Sequence, residues 1–161
     1  MTIDFILNGQ DEMIETDGQA RLIDILRGTY QLLGAKTGCY SGICGLCSVI
    51  LNGDVVKSCL IPAFKIQGTE IITIEGFTQT DEYQDILQGF SEAGTETCGY
   101  CSTGKILTVE ALLSKNPRPS GRDILFAFRG IKCRCTDPES LIQGVLSVAE
   151  QRQRRLYGRR S

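Results

Sequence analysis

The chain has 161 residues, enough for one domain or two small ones with a real core, and its formal net charge of -2 implies no general affinity for nucleic acid or membrane. Hydrophobic content of 42% and charged content of 22% are those of an ordinary soluble globular protein. Histidine and tryptophan are absent, which excludes an imidazole ligand, a Ser-His-Asp triad and an imidazole general base.

Ile3, Phe5 and Leu7 alternate with polar neighbours and predict a half-buried strand. Asn8-Gly9 signals a type I′ hairpin, with a return strand around Met13 to Thr16. A helix is expected from about Leu22 to Leu33, with Leu22, Ile25, Leu26 and Leu33 as its stripe and Gly34 as C-cap. A cysteine loop follows, Gly38-Cys39-Tyr40-Ser41-Gly42-Ile43-Cys44-Gly45-Leu46-Cys47. Two short strands, Ser48 to Leu51 and Asp54 to Ser58, flank a second Asn-Gly turn at Asn52-Gly53, and Cys59 lies just past them. A last strand, Glu70 to Ile74, is expected to end at Glu75-Gly76.

The pattern becomes helical after Thr80. Asp81 is the expected cap of a helix carrying Tyr83, Ile86, Leu87 and Phe90. Cys98-Gly99-Tyr100-Cys101 comes next, and Ser102 or Thr103 opens a helix that Asn116-Pro117 closes. Ser120-x-x-Asp123 resembles a capping box, for a helix with Ile124, Leu125 and Phe128 that stops at Gly130. After Cys133-Arg134-Cys135, Thr136-x-x-Glu139 is a capping box with Pro138 in the first turn. The last helix holds Leu141, Ile142, Val145, Leu146 and Val148. From Gln151 a tail with Arg152, Arg154, Arg155, Arg159 and Arg160 reads as a frayed, solvated end or as a dock for an acidic partner. The expected fold class is therefore α+β, a small sheet with one helix and then four helices.

Eight cysteines are the compositional outlier, and disulfides, zinc and iron–sulfur compete for them. The N-terminal stretch Met1 to Gly9 has neither a basic n-region nor a long apolar h-region, and no run of apolar residues is long enough to span a membrane. A reducing cytoplasm is therefore expected, with metal ligation ahead of disulfides. Cys39-x4-Cys44-x2-Cys47, with Cys59 after eleven further residues, is the plant-type ferredoxin spacing in which four thiolates hold one 2Fe–2S cluster. Glycines in that loop permit sharp bends and let backbone N–H groups approach sulfur. The second quartet, Cys98-x2-Cys101 and Cys133-x-Cys135, is ambiguous alone. Structural zinc also takes two cysteine pairs, though more often Cys-x2-Cys or Cys-x4-Cys. Cys101 and Cys135 lie just ahead of helices, where N-terminal N–H groups and the helix dipole suit thiolates.

From about residue 3 to 148 the chain resembles the small iron–sulfur subunit of the molybdenum hydroxylases, the xanthine dehydrogenase and aldehyde oxidoreductase family. The resemblance is carried by Gly38 to Cys47, Ser58-Cys59, Glu75-Gly76, Cys98-Gly99-Tyr100-Cys101-Ser102-Thr103-Gly104, Asn116-Pro117 and Cys133 to Thr136. The chain departs from that family at Thr97 (usually Gln), Thr103 (usually Pro), Ile131-Lys132 (usually Asn-Leu) and Asp137-Pro138 (usually Gly-Tyr). The resemblance implies a β-grasp ferredoxin-like domain over residues 1–78 and a four-helix domain over 79–161. Cys39, Cys44, Cys47 and Cys59 would hold one 2Fe–2S cluster, and Cys98, Cys101, Cys133 and Cys135 the other.

It further implies an electron-transfer subunit of an oxidoreductase hetero-oligomer, with no substrate-converting site of its own. Electrons would pass from a molybdopterin-binding large subunit to an FAD-binding subunit or another acceptor. A free two-cluster ferredoxin and a zinc-stabilised interaction module are the alternatives. Arg134, between two candidate ligands, is expected to offset cluster charge, dock the cofactor or form a structural salt bridge; Lys105 and Tyr100 are expected as solvated surface and packing.

Overall fold

In the computed structural model, which describes residues 1–158, Ile3, Phe5 and Leu7 are buried along β1 (Thr2–Leu7) while the residues between them face solvent. Asn8 takes a positive φ of 51°, as a type I′ turn requires, and returns the chain along β2 (Gln10–Glu15), antiparallel to β1. The second Asn-Gly turn works the same way: Asn52 has φ 49° and joins β3 (Ser48–Leu51) to β4 (Asp54–Lys57). With β5 (Glu70–Ile72) the sheet runs in the order β2-β1-β5-β3-β4. Only the central β1/β5 pair is parallel. The architecture is α+β, a mixed sheet followed by a helical region.

Helix α1 (Leu22–Gly28) buries Leu22, Ile25 and Leu26 against one face of the sheet, with Val49 and Ile71. It is shorter than the periodicity suggests. The Arg27 guanidinium donates to the carbonyls of Leu33 and Ala35, which folds the chain back across the helix end and leaves Leu33 exposed. Gly34 is therefore no C-cap; its N–H donates to Glu75 Oε1 at 2.7 Å. Strand β5 also stops early. The Thr73 N–H leaves the ladder for Asn8 Oδ1 at 2.8 Å, and Ile74–Phe77 turns into a short helix, α2, that contains Glu75 and Gly76.

The other face of the sheet is covered by the helical region. Ile50 joins a core with Ile106, Leu107, Ile124, Val145 and Val148, whereas its neighbour Val49 belongs to the α1 core. Strand β3 is thus buried on both sides. Helix α3 (Asp81–Ala93) is capped by Thr80, whose hydroxyl accepts from Tyr83 N, so the cap lies one residue before Asp81. Of its expected stripe Ile86 and Phe90 are buried and Leu87 is exposed. Helix α4 (Ser102–Lys115) packs on β3 and β4, and α5 (Gly121–Phe128) starts with a complete capping box between Ser120 and Asp123.

Helix α6 (Pro138–Tyr157) runs far beyond Val148, so the segment from Gln151 to Tyr157 is not a frayed end. Its buried face continues from Val145 and Val148 to Arg152, which pairs with Glu110 at 2.6 Å and lies 3.6 Å from Asp85. Arg155 bonds Asp85 and Glu82 on α3. Among the described residues Arg154 pairs with Glu150 of its own helix alone, and Arg159 and Arg160 lie outside those residues. The carboxylates these arginines meet are the chain's own.

Candidate metal centres

All eight cysteines are free thiols; the second quartet is gathered around Cys101, whereas in the first Cys39 and Cys44 lie in one loop and Cys47 packs with Cys59 in the core. In the first, the loop after α1 curls around Cys39. Backbone N–H groups of Ser41, Ile43 and Cys44 donate to its sulfur at 3.4, 3.2 and 3.4 Å. The Ser41 side chain and these N–H groups lower the Cys39 thiol to about 5, which makes it a thiolate at neutral pH. Cys47, at the mouth of β3, and Cys59, in a 3-10 turn just after β4, are buried together beside Ile23. Burial pushes the Cys47 thiol up. The Ser58 hydroxyl donates to the Cys47 carbonyl at 2.7 Å and ties the two segments.

In the second group the sulfurs are closely gathered. Cys101 Sγ lies 3.3 Å from Cys98 Sγ, 3.1 Å from Cys135 Sγ and 3.4 Å from Cys133 Sγ, and Cys133 and Cys135 are 2.9 Å apart. Cys101 occupies the N-cap position of α4, and Cys135 precedes the Asp137 cap of α6 by two residues. Thr136 is not the cap, since the Asp137 side chain accepts from Ser140 N. The Thr136 hydroxyl is engaged elsewhere, donating to the Glu96 carbonyl.

The N–H of Cys98 donates to Cys135 Sγ at 3.3 Å, and that of Cys135 to Cys133 Sγ at 3.2 Å. Burial opposes ionisation of Cys135, but hydrogen bonds from Cys133, Cys101 and the Cys98 N–H outweigh it and lower the thiol. Cys98 is lowered as well, first by the Cys101 N–H, while burial raises Cys101. Thiol donors alone, with backbone N–H groups aimed at them, form a donor set suited to an anionic iron–sulfur cluster.

The two groups touch. The Gly45 carbonyl packs on Gly104 in the first turn of α4; a Cβ there would lie 2.8 Å from that oxygen. Gly45 itself has φ +75°, and a Cβ on it would come within 2.5 Å of the Gly130 carbonyl. The Lys132 N–H donates to the Cys44 carbonyl at 2.9 Å.

Two side chains, Lys105 and Tyr100, behave otherwise than their sequence context implies. Lys105 is buried, 3% exposed, with Nζ 3.3 Å from Cys133 Sγ and 2.6 Å from Thr136 Oγ1. A signal was present, because Lys105 stands four residues after Cys101 on the same helical face, inside a run from Thr103 to Val109 that is buried throughout. Tyr100 is 67% exposed rather than packed. Arg134 is exposed, and among the described residues no carboxylate pairs with it.

The chain is similar in sequence and in fold to known proteins. Residues 5–70 match the 2Fe-2S iron-sulfur cluster binding domain family, and residues 73–146 match a second 2Fe-2S binding domain family. The chain is 44% identical to the nicotinate dehydrogenase small FeS subunit of Eubacterium barkeri, over 84% of this chain and 87% of that one. It is 36% identical to a probable xanthine dehydrogenase subunit of Bacillus subtilis, over 90% and 83%. Among solved structures, quinoline 2-oxidoreductase from Pseudomonas putida superposes with a TM-score of 0.84 at 32% identity, covering 95% of this chain and 96% of that one.

Proposed function

The chain belongs to the small iron–sulfur subunits of the molybdenum hydroxylase oxidoreductases, and from that premise we propose that it relays electrons one at a time from a molybdopterin centre on a partner chain, through two 2Fe–2S clusters of its own, to FAD or another acceptor. Cys39, Cys44, Cys47 and Cys59 hold the first cluster, in a unit ending near residue 78. Cys98, Cys101, Cys133 and Cys135 hold the second, in the helical unit that follows. When bound, each cluster takes up and gives up single electrons. The substrate is converted on the large subunit, and the complex works in the cytoplasm.

The observation that carries this reading is the contact between the two cysteine groups. Lys132, next to Cys133, donates its N–H to the carbonyl of Cys44. One hydrogen bond therefore separates the backbone of the first quartet from that of the second. The Ser41 side chain and the backbone N–H groups on Cys39 favour its thiolate, and the Gly45 carbonyl lies close against Gly104. Apolar side chains stand exposed near both quartets: Ile43 at 59% and Leu60 at 56% near the first, Tyr100 at 67% near the second. Such faces fit a subunit covered by partners better than a carrier that works alone.

Anaerobic purification with iron, sulfide and zinc analysis, followed by EPR after dithionite, tests the proposal. About four irons and four sulfides per chain and two distinct reduced signals are expected for two 2Fe–2S clusters. Two zincs without sulfide would overturn it. Co-purification with a molybdenum-containing chain is expected of a subunit; recovery of the chain alone, fully loaded, would favour a free carrier.

A further inference from the structure

We infer that Lys105 is a built-in counter-charge for the second cluster, raising its reduction potential above what the four thiolates alone would set. This rests on the reading of Cys98, Cys101, Cys133 and Cys135 as that cluster's ligands.

Lys105 lies in the first turns of α4, with its N–H bonded to the Cys101 carbonyl at 3.0 Å. It is buried, only 3% exposed. Nζ has three neighbours: Thr136 Oγ1 at 2.6 Å, Cys133 Sγ at 3.3 Å and Cys135 Sγ at 3.7 Å. An ammonium has three N–H donors, so each finds one acceptor. The Thr136 hydrogen is committed to the Glu96 carbonyl, which turns the hydroxyl's lone pairs toward Nζ.

Among the described residues no carboxylate forms an ion pair with Lys105. A buried ammonium without a partner is costly, and the negative groups within reach are sulfurs. Reduction adds one electron, hence one negative charge, to the group those sulfurs hold. A fixed cation at this distance stabilises the reduced form more than the oxidised one, and so favours electron uptake.

The test is a potentiometric titration with dithionite, followed by EPR, on the full chain carrying both clusters. Lys105→Gln keeps a hydrogen-bonding tip without the charge. One signal is expected to become about tenfold harder to reduce at a given potential, about 59 mV for a one-electron couple, while the other stays in place. Lys105→Arg keeps the charge and should hold the wild-type value. Lys115→Gln, at the exposed far end of the same helix, should move neither signal. Two intact signals in Lys105→Gln with neither midpoint moved would overturn the inference.

A wild-type chain lacking the second cluster would instead remove the ligand assignment, and the inference with it. Should Lys105→Gln fail to hold the second cluster, the wild-type chain labelled with 15N at lysine Nζ decides. A 15N hyperfine coupling on one reduced signal, absent in Lys105→Arg, is expected, and its absence from the wild type would overturn the assignment of Lys105.

Discussion

Cys44 and Lys132 are joined backbone to backbone, the Lys132 N–H donating to the Cys44 carbonyl at 2.9 Å. This bond lies at the closest meeting of the two cysteine loops. Beside it, a Cβ on Gly104 would meet the Gly45 carbonyl and a Cβ on Gly45 the Gly130 carbonyl, so neither position tolerates a side chain without a shift of backbone. Gly104→Ala is expected to cost about 1–3 kcal/mol by overpacking. Gly28→Ala, where an added Cβ meets nothing within 4 Å, should be neutral or slightly stabilising. Guanidinium unfolding of the two variants beside wild type checks the contrast.

Replacing one candidate ligand in each quartet should separate the clusters. Cys39→Ser and Cys135→Ser are each expected to lower iron from about four to about two per chain, with a different EPR signal lost in each. Loss of all iron from both variants would mean that the quartets do not act as separate sites.

Arg152 is held between the buried Asp85 at 3.6 Å and the half-buried Glu110 at 2.6 Å. Arg152→Met leaves both charges without it and should destabilise the chain by about 3–5 kcal/mol. Arg154→Met removes only an exposed pair with Glu150 and should change stability by less than about 1 kcal/mol. Equal effects in denaturant melts would rule out the buried network as the anchor of α6.

Glu82 carries a pH signature. Its own backbone N–H, at the start of α3, and the Arg155 guanidinium hold its carboxyl below the ordinary value of 4.5. A depressed acid stabilises the fold while ionised. That stability is complete above the ordinary value and is lost as the pH falls through the lowered one. Between pH 6 and pH 3 the wild type should therefore lose more stability than Glu82→Gln. Parallel pH profiles from denaturant unfolding would contradict this.

Local chemistry made much of this fold legible in advance. The alternation of Ile3, Phe5 and Leu7 and the two Asn-Gly turns placed both hairpins, because strand period and turn dihedrals are short-range properties. The eight cysteines came to hand as two spaced quartets. What escaped the sequence depended on groups distant in the chain. The pattern from Leu22 to Leu33 could not show Arg27 drawing the chain back after Gly28. Thr136 has the composition of a cap, yet Glu96 and Lys105, far away in sequence, take its hydroxyl. Arg152 and Arg155 read as solvated because their acidic partners lie on α3 and α4. Lys105 read as surface for the same reason: the sulfurs it meets arrive from another loop.

The double burial of β3 bears on how the chain is made. Val49 is covered by α1, which is synthesised before it, but Ile50 waits for α4 and α6, which come after. A ribosome-bound chain therefore completes its sheet while one apolar face, with Ile50, Val55 and Ile72, is still bare. That nascent form is the species most prone to stick to its neighbours, and the one on which a chaperone would act.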